Sequence, residues 1–247
     1  ITRIYTNEKT YTVTGEGYKP VGDFYLNETK VNPSEDPHLK LLLTIGTLCN
    51  DAKLEESGTV GQNEKTWRII GDPTEGAMVV AASKAGIWNE EISKQLPRLQ
   101  EIPFDSDRKR MTTFHPDTEG KYVAYIKGAP DVMLSLSSMI LKAGKEVPLT
   151  QEDKDNILAA NHEMATQALR VLALAYKKVD EIPHDPKPED VEKDMTFVGL
   201  VGMIDPARPE VKAAIETCKK AGIRPVMITG DYKDTAIAIA KELGMIE

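Results

Sequence analysis

Residues 197–204, FVGLVGMI, form a continuous apolar run, and the character of the sequence changes there. Beyond this run, Pro209–Lys220 has the pattern of a helix closed by Gly222, Pro225–Thr229 that of a buried strand, and Thr235–Leu243 that of another helix. An alternation of strands and helices is typical of a parallel sheet with helices on its faces. We therefore predict two units: residues 1–207, and residues 208–247 as the start of an α/β segment.

Upstream of the boundary, the patterns predict an α+β fold, an antiparallel sheet flanked by helices. Alternating apolar residues over 1–26 and the paired segments 111–114 and 122–126 indicate hairpins. Spacing and capping residues indicate helices. The predicted helices are 39–50, 73–85 and 150–169; a strand is predicted at 171–176, and loops at 53–65 and 179–194.

Composition describes a folded protein of 247 residues, with 40% apolar and 28% charged residues. The net charge of −8 disfavours nucleic acid as a partner, so an anionic ligand needs a local cationic pocket. No apolar run reaches the roughly 20 residues of a membrane-spanning helix. The two cysteines and four histidines have no zinc-site spacing. Because the chain does not begin with Met, we expect it to be part of a longer protein.

Phe104 is followed closely by the cationic run Arg108, Lys109 and Arg110 in a polar loop. A purine nucleotide has an aromatic face and phosphates, so an aromatic platform beside cations suits it. The alternatives are that Phe104 packs in the core and that the cations form a solvated surface.

Three further residues allow both a structural and a ligand-binding interpretation. Lys127 ends a strand before Gly128, where it can reach a phosphate or simply be solvated. Glu75 can accept a hydrogen bond from an adenine amino group, or close a capping box with Asp72. Arg170, at the predicted end of a long helix, can bind phosphate or interact with the helix dipole.

Thr229, Gly230 and Asp231 follow a predicted strand and precede a predicted helix, which is where ligands bind in parallel α/β sheets. The glycine permits close approach, and Thr229 with nearby N–H groups can hold phosphoryl oxygens. The alternative is a turn in which Asp231 caps the helix. Asp205 likewise either caps the next helix or helps to hold nucleotide and Mg²⁺.

Taken in order, seven segments resemble the cytoplasmic region of P-type ATPases, and the resemblance covers the whole chain. The segments are Cys49-Asn50-Asp51-Ala52, Gly71-Asp72-Pro73-Thr74-Glu75, Phe104-Asp105-Ser106-Asp107-Arg108-Lys109, Lys127-Gly128-Ala129-Pro130, Arg170-Val171-Leu172-Ala173, Asp205-Pro206-Ala207-Arg208 and Thr229-Gly230-Asp231. The pattern is most similar to the calcium-transporting type II pumps, and the compact inserted domain suggests a bacterial member.

The resemblance implies that residues 1–207 are the nucleotide-binding domain and that 208–247 begin a haloacid-dehalogenase-like phosphorylation domain. It also implies roles for individual residues. Those expected around ATP are Glu75, Phe104, Lys109, Lys127, Gly128 and Arg170, with adenine stacked on Phe104. Those expected near the terminal phosphate and the hinge are Asp205, Arg208, Thr229, Gly230 and Asp231.

The phosphorylated aspartate of the family lies in a DKTGT motif, which these 247 residues do not contain. We therefore expect the chain to present ATP, with Mg²⁺ held mostly by residues outside it, and to be inactive alone. Its implied partners are the rest of the phosphorylation domain, the actuator domain and the transmembrane domain of one pump, on the cytoplasmic side of a membrane.

Two other functions remain open at this point. The first is a free-standing nucleotide-sensing module. The second is a soluble phosphatase of the haloacid-dehalogenase class, which needs a DxDx(T/V) motif after a buried strand. Asp105-Ser106-Asp107-Arg108 matches that motif only superficially, because it lies in a polar loop.

Overall fold

The structure is a computed structural model that describes residues 1–57, 66–117, 121–204, 209–229 and 233–246. Within these ranges no helix is both long and apolar enough to cross a membrane. The helices are α1 (Pro37–Leu48), α2 (Pro73–Lys84), α3 (Asn89–Gln95), α4 (Pro130–Leu136), α5 (Gln151–Thr166), α6 (Pro188–Val191), α7 (Pro209–Lys220) and α8 (Lys233–Glu242). The strands are β1 (Arg3–Thr6), β2 (Lys9–Val13), β3 (Phe24–Leu26), β4 (Thr29–Val31), β5 (Lys53–Ser57), β6 (Thr66–Ile70), β7 (Gln100–Asp105), β8 (Arg110–Pro116), β9 (Tyr122–Gly128), β10 (Ser137–Lys142), β11 (Lys145–Pro148), β12 (Leu169–Val179) and β13 (Met195–Ile204).

One large sheet organises the chain, and its main path runs β4-β3-β2-β1-β13-β12-β9-β8-β7. Every neighbouring pair on this path is antiparallel. β10 joins β13 in parallel and pairs with β11, while β5 and β6 form a separate hairpin. The predicted antiparallel sheet with flanking helices is therefore confirmed.

Helices cover both faces of this sheet. On one face, α1 and α2 bury Leu42, Ile45 and Met78 against it. On the other, α4 and α5 bury Met133 and Ile157. Fully burying each such side chain contributes about 1.5–3 kcal/mol, so the two apolar layers hold the sheet between them.

Residues 197–204 lie at the centre of this antiparallel sheet and do not begin a parallel one. They belong to β13, which pairs antiparallel with β1 and β12. The interpretation as the first strand of an alternating α/β unit is therefore wrong. A strand covered on both faces is apolar throughout whichever way its neighbours run, so an apolar run does not distinguish the two kinds of sheet.

The predicted strand at 225–229 does not form in the described part of the chain. Residues 223–229 have no regular structure, and Val226 and Ile228 are 75% and 94% exposed. A strand exists only by hydrogen bonding to a neighbour, and no described strand lies beside this segment. α7 and α8 are helices as expected. The assignment of residues 208–247 to a phosphorylation domain stays a prediction.

Smaller differences concern segments of polar sequence. Residues 53–57, predicted as loop, form β5 and pair with β6. The segment 179–194, predicted as an exposed loop, contains α6 and the buried Glu192. The helix predicted over 150–169 ends at Thr166, and a capping box of Thr150 and Asp153 forms its beginning.

Candidate functional site

The register of four strands brings the segments singled out in the sequence to one end of the sheet. Asp105, the last residue of β7, pairs with Arg110, the first of β8. Arg110 in turn pairs with Gly128, the last residue of β9, and Gly128 pairs with Ala173 of β12. Because adjacent strands run in opposite directions, the ends of β7 and β9 meet the beginnings of β8 and β12 here.

Lys127 is buried beneath this end of the sheet and is not a solvated lysine. It lies between Met111 and Leu174 in the register, both of which face α1 and α2 in the core. Its ammonium group forms an ion pair with the Oε1 of Glu75, the third residue of α2. Only 7% of the Lys127 side chain and 17% of the Glu75 side chain are exposed. The pair is therefore largely shielded from solvent screening.

Glu75 does not close a capping box. Asp72 caps α2 by accepting from the N–H groups of Thr74 and Glu75, at 2.8 and 3.3 Å. The Glu75 carboxylate instead binds Lys127 through Oε1 and accepts the Asp51 N–H at 3.1 Å through Oε2. Each carboxylate oxygen retains acceptor capacity, so Glu75 can still accept a bond from a ligand amino group.

The Asn50 side chain links the segment 49–52 to the segment 71–75 by hydrogen bonds. Its amide donates to the carbonyls of Gly46 in α1 and Glu75 in α2, at 2.9 Å each. Its side-chain oxygen accepts the Ala52 N–H at 2.8 Å. One buried side chain thus joins the end of α1 to the beginning of α2 and fixes the position of Glu75.

Arg170 lies in β12, and its predicted place at a helix end is wrong. It is the second residue of the strand, and α5 ends before it at Thr166. Its Nη1 donates to the Thr74 hydroxyl at 3.0 Å, beside Glu75 in sequence. Arg170 is exposed, so its charge remains available to an anion at this end of the sheet.

Phe104 is 63% exposed, which excludes the alternative that it packs in the core. It lies on β7, at the edge of the sheet, just before the turn that leads into β8. The Asp105 carboxylate caps this turn by accepting the N–H groups of Asp107 and Arg108, at 3.0 and 2.8 Å. That role, on an edge strand of an antiparallel sheet, disfavours Asp105 as a phosphatase nucleophile.

Lys109 is exposed and occupies the left-handed backbone region, with φ of 56°. A residue other than glycine is uncommon there, and such conformations cluster at functional sites. Gly128 makes the close approach of this turn possible. A Cβ on Gly128 would lie 2.7 Å from both the Lys109 carbonyl oxygen and the Arg110 Cβ. Gly128 thereby brings Lys109 alongside the strand that carries Lys127.

The sequence does not reveal the partner of Arg108 and Arg110, for which it allows either a nucleotide-binding role or a solvated surface. Both arginines bind Glu192, whose side chain is fully buried. The residues lie more than eighty positions apart, so no local pattern signals the contact. The signal in the sequence is the run of three consecutive cations at residues 108–110, which requires anionic partners if any of the three is buried.

The remaining candidates belong to residues 205–231. Asp205, Arg208, Gly230 and Asp231 lie outside the described residues. Thr229 is exposed in the irregular segment 223–229. Among the described residues, no group of three or more His, Cys, Asp or Glu side chains is placed to hold a metal ion. Among the described residues, cavities of about 520 and 500 Å³ lie at the start of α1 and beside residues 181–184, and neither is lined by Phe104, Lys127 or Arg170.

Comparison with known proteins identifies the family. Residues 38–210 match the family described as P-type ATPase, cytoplasmic domain N. A calcium-transporting ATPase of Bacillus subtilis (strain 168) is 40% identical over 246 residues, 100% of this chain and 27% of that protein. A cation-transporting ATPase, pma1, of Synechocystis sp. is 42% identical over 248 residues, 98% of this chain and 26% of that protein. Calcium-transporting ATPase 1 of Bacillus cereus is 44% identical over 249 residues, 99% of this chain and 26% of that protein.

The chain thus spans about a quarter of the length of these relatives. The family match covers most of the chain and includes six of the seven segments that carry the resemblance, the sixth ending at residue 208. The residues grouped at the end of the sheet lie within it. The chain therefore belongs to the P-type ATPase family, and residues 38–210 match its cytoplasmic domain N.

Proposed function

We propose that this chain binds ATP at the end of the sheet and presents it to an aspartate outside these 247 residues, as part of a cation pump. The observation that carries the proposal is the convergence of an exposed aromatic ring, Phe104, with Lys109, Lys127 and Arg170 in a protein of net charge −8. Stacking on the ring suits adenine, and the cations suit a triphosphate.

Each residue has a distinct role in this proposal. Phe104 supports the adenine ring, and Glu75 accepts from its amino group. Lys127 shares its charge between Glu75 and the nucleotide, while Lys109 and Arg170 meet phosphate oxygens. Gly128 sets the spacing between the turn and β9. Asp205, Arg208, Thr229, Gly230 and Asp231 are proposed to lie towards the terminal phosphate.

Phosphoryl transfer depends on positioning and on neutralising charge, so a domain that only delivers ATP is chemically sensible. Mg²⁺ supplies charge neutralisation on the phosphates when bound, and its ligands are proposed to lie mostly outside the described residues. The proposed partners are the rest of the phosphorylation domain, the actuator domain and the transmembrane domain of the same pump, with the chain on the cytoplasmic side. The relatives named for calcium transport favour Ca²⁺ as the ion.

Titration of ATP into this chain and two variants tests the proposal. We expect binding in the high-micromolar to millimolar range, because in this proposal part of the phosphate-side and Mg²⁺ ligands of the complete site lie outside these 247 residues. Phe104→Ala should lose roughly 1–3 kcal/mol of binding, the range for a base stacked on an aromatic side chain. Its melting temperature should change little, since the ring is 63% exposed.

Leu99→Ala is the matched control, because Leu99 is also exposed, at 49%, and precedes the same strand. It should leave ATP affinity unchanged. Equal affinities for the protein and Phe104→Ala, or no binding at all by the unmodified chain, would overturn the proposal. Incorporation of label from γ-labelled ATP as an acyl-phosphate would show that the chain carries its own phosphorylated aspartate.

A further inference from the structure

Glu192 is a fully buried carboxylate that lies just after α6, three residues before β13. Arg108 Nη1 donates to both of its oxygens at 2.7 Å, and Arg110 Nε donates to Oε2 at 2.6 Å. The Thr112 hydroxyl donates to Oε1 at 2.9 Å. We refer to Glu192, Arg108 and Arg110 as the Glu192 clamp.

The clamp secures both ends of the segment that carries Phe104 and Lys109. Arg108 Nη2 donates to the Pro103 carbonyl at 2.5 Å, so the residue before Phe104 is tied to the clamp. Arg110 Nη1 donates to the Arg108 carbonyl at 2.8 Å, so the residues on either side of Lys109 are joined. Because the Phe104 ring is mostly exposed, its position depends on this backbone anchoring more than on packing.

The energetics of buried charge favour a role in positioning over one in stability. Removing a carboxylate and two guanidinium groups from water costs about as much as their attraction returns, so such a cluster contributes little net stability. It does restrict geometry, because each arginine binds through a planar, directional fork. Lys109 also holds a left-handed backbone conformation that persists only where the surroundings fix it.

We propose that Glu192 is a positioning residue for nucleotide binding, acting through Arg108 and Arg110 on the placement of Phe104 and Lys109. This inference rests on the proposed function. Glu192 does not touch the nucleotide. It sets the distance and angle between the adenine platform and the phosphate-binding lysine, which lie on the two sides of one turn.

Glu192→Gln tests the inference, since it keeps the side-chain shape but removes the charge that holds the two arginines together. We expect ATP affinity to fall about tenfold through misplacement of the binding groups. Asp153→Asn is the matched control: Asp153 is also a buried carboxylate, 5% exposed, paired with Lys142 at 2.8 Å at the start of α5. It should lower the melting temperature without changing ATP affinity.

A spectroscopic measurement separates positioning from general destabilisation. The chain has four phenylalanines, of which Phe24, Phe114 and Phe197 are at most 1% exposed. With fluorinated phenylalanine incorporated, ¹⁹F NMR should therefore show one solvent-accessible signal, from Phe104. Glu192→Gln should shift or broaden that signal and leave the three buried signals unchanged, whereas Asp153→Asn should leave it in place.

The outcomes distinguish the two proposals. If Phe104→Ala weakens ATP but Glu192→Gln does not, the clamp has no positioning role while the nucleotide site stands. If neither variant changes affinity, the proposed nucleotide site is wrong, and the positioning role of Glu192, which depends on that site, is wrong as well. Should Glu192→Gln fail to fold, Arg110→Gln removes one arm of the clamp and should give a smaller loss of affinity; no loss would overturn the inference.

Discussion

At the residue scale, burial decides between interpretations that the sequence leaves open. For Phe104 and Lys127 the sequence allows a structural alternative, packing in the core for Phe104 and solvation for Lys127, and the structure excludes both alternatives. The aromatic ring, which could have been core, is exposed, and the lysine, which could have been solvated, is 5% exposed and paired. Residue type alone does not predict this, because exposure depends on which element covers the strand.

The buried pair of Lys127 and Glu75 leads to a prediction about stability. Lys127→Met keeps the length of the side chain but leaves the Glu75 carboxylate without its cation. We expect a loss of about 2 kcal/mol, less than for a fully buried pair because part of Glu75 still reaches solvent. Urea denaturation measures it.

The double variant Lys127→Met with Glu75→Gln serves as the control for this prediction. It removes the unpaired charge and should recover at least half of the lost stability. A single-variant loss within about 0.5 kcal/mol, the range for surface substitutions, would mean that the pair is solvated.

At the element scale, local signals identified the five described helices of ten or more residues but missed the shorter α3, α4 and α6, and they identified the strands less well. Asp36, Asp72 and Thr150 cap α1, α2 and α5, and each of these helices begins within two residues of its predicted start. A helix satisfies its own hydrogen bonds, so local sequence carries most of the information. A strand depends on a distant partner, which is why β5 was missed and why the segment at 225–229 was predicted wrongly.

The first hairpin, formed by β1 and β2, was predicted from the sequence, but its turn was not located. Alternation over residues 1–26 predicted it, and β1 and β2 form it. The two turn residues, Asn7 and Glu8, have positive φ of 50° and 59° although neither is glycine, and the first glycines of the chain, Gly15 and Gly17, come after β2. The pairing was therefore predictable, but the position of the turn was not.

Gly128 provides a test of how closely β8 and β9 must approach. In Gly128→Ala, the new Cβ would lie 2.7 Å from the Lys109 carbonyl oxygen and from the Arg110 Cβ. The strands would have to separate, and we expect a loss of about 1–3 kcal/mol. ATP affinity should fall as well, because Lys109 moves with its strand.

Gly46→Ala is the control for that substitution. A Cβ on Gly46 in α1 would make ordinary contacts of 3.5 Å or more with Met78 and Leu174. Alanine is the better helix former, so this variant should be neutral or more stable by up to ~1 kcal/mol. Equal effects of the two substitutions on urea denaturation would contradict the close approach at Gly128.

At the scale of the whole molecule, the packed core and the candidate binding residues occupy different parts of the sheet. Helices cover the middle of both faces, and the grouped candidate residues lie at one end, where strands finish or begin. The antiparallel sheet with flanking helices was predictable because alternation and helical spacing extend over most of the chain. The assembly of the site was only partly predictable, since the segments were recognisable but their contacts, such as Glu192 with Arg108, arise from the register of distant strands.

Two buried histidines make the stability of the whole molecule depend on pH. Burial lowers the pKa of His115 below its ordinary 6.5, and burial likewise lowers the pKa of His38. The His115 ring is enclosed between the Leu96 carbonyl and the Thr113 hydroxyl, each 2.9 Å from a ring nitrogen. The folded protein therefore resists protonation that the unfolded chain accepts.

The sign of the effect follows from proton uptake. Below about pH 6.5 the unfolded chain binds more protons at these histidines than the folded protein does, so stability falls as the pH falls. Each histidine contributes a slope of up to ~1.4 kcal/mol per pH unit until the lowered folded pKa is reached. Above about pH 7 both states are neutral at these positions, so the histidines no longer contribute to the slope. Urea denaturation between about pH 8 and 5 measures the slope, and His115→Asn should reduce it, leaving the contribution of His38, while lowering stability at pH 8 through lost packing. The exposed His184→Asn is the control and should keep the full slope; an unchanged slope in His115→Asn would contradict the prediction that burial of His115 links folding to pH.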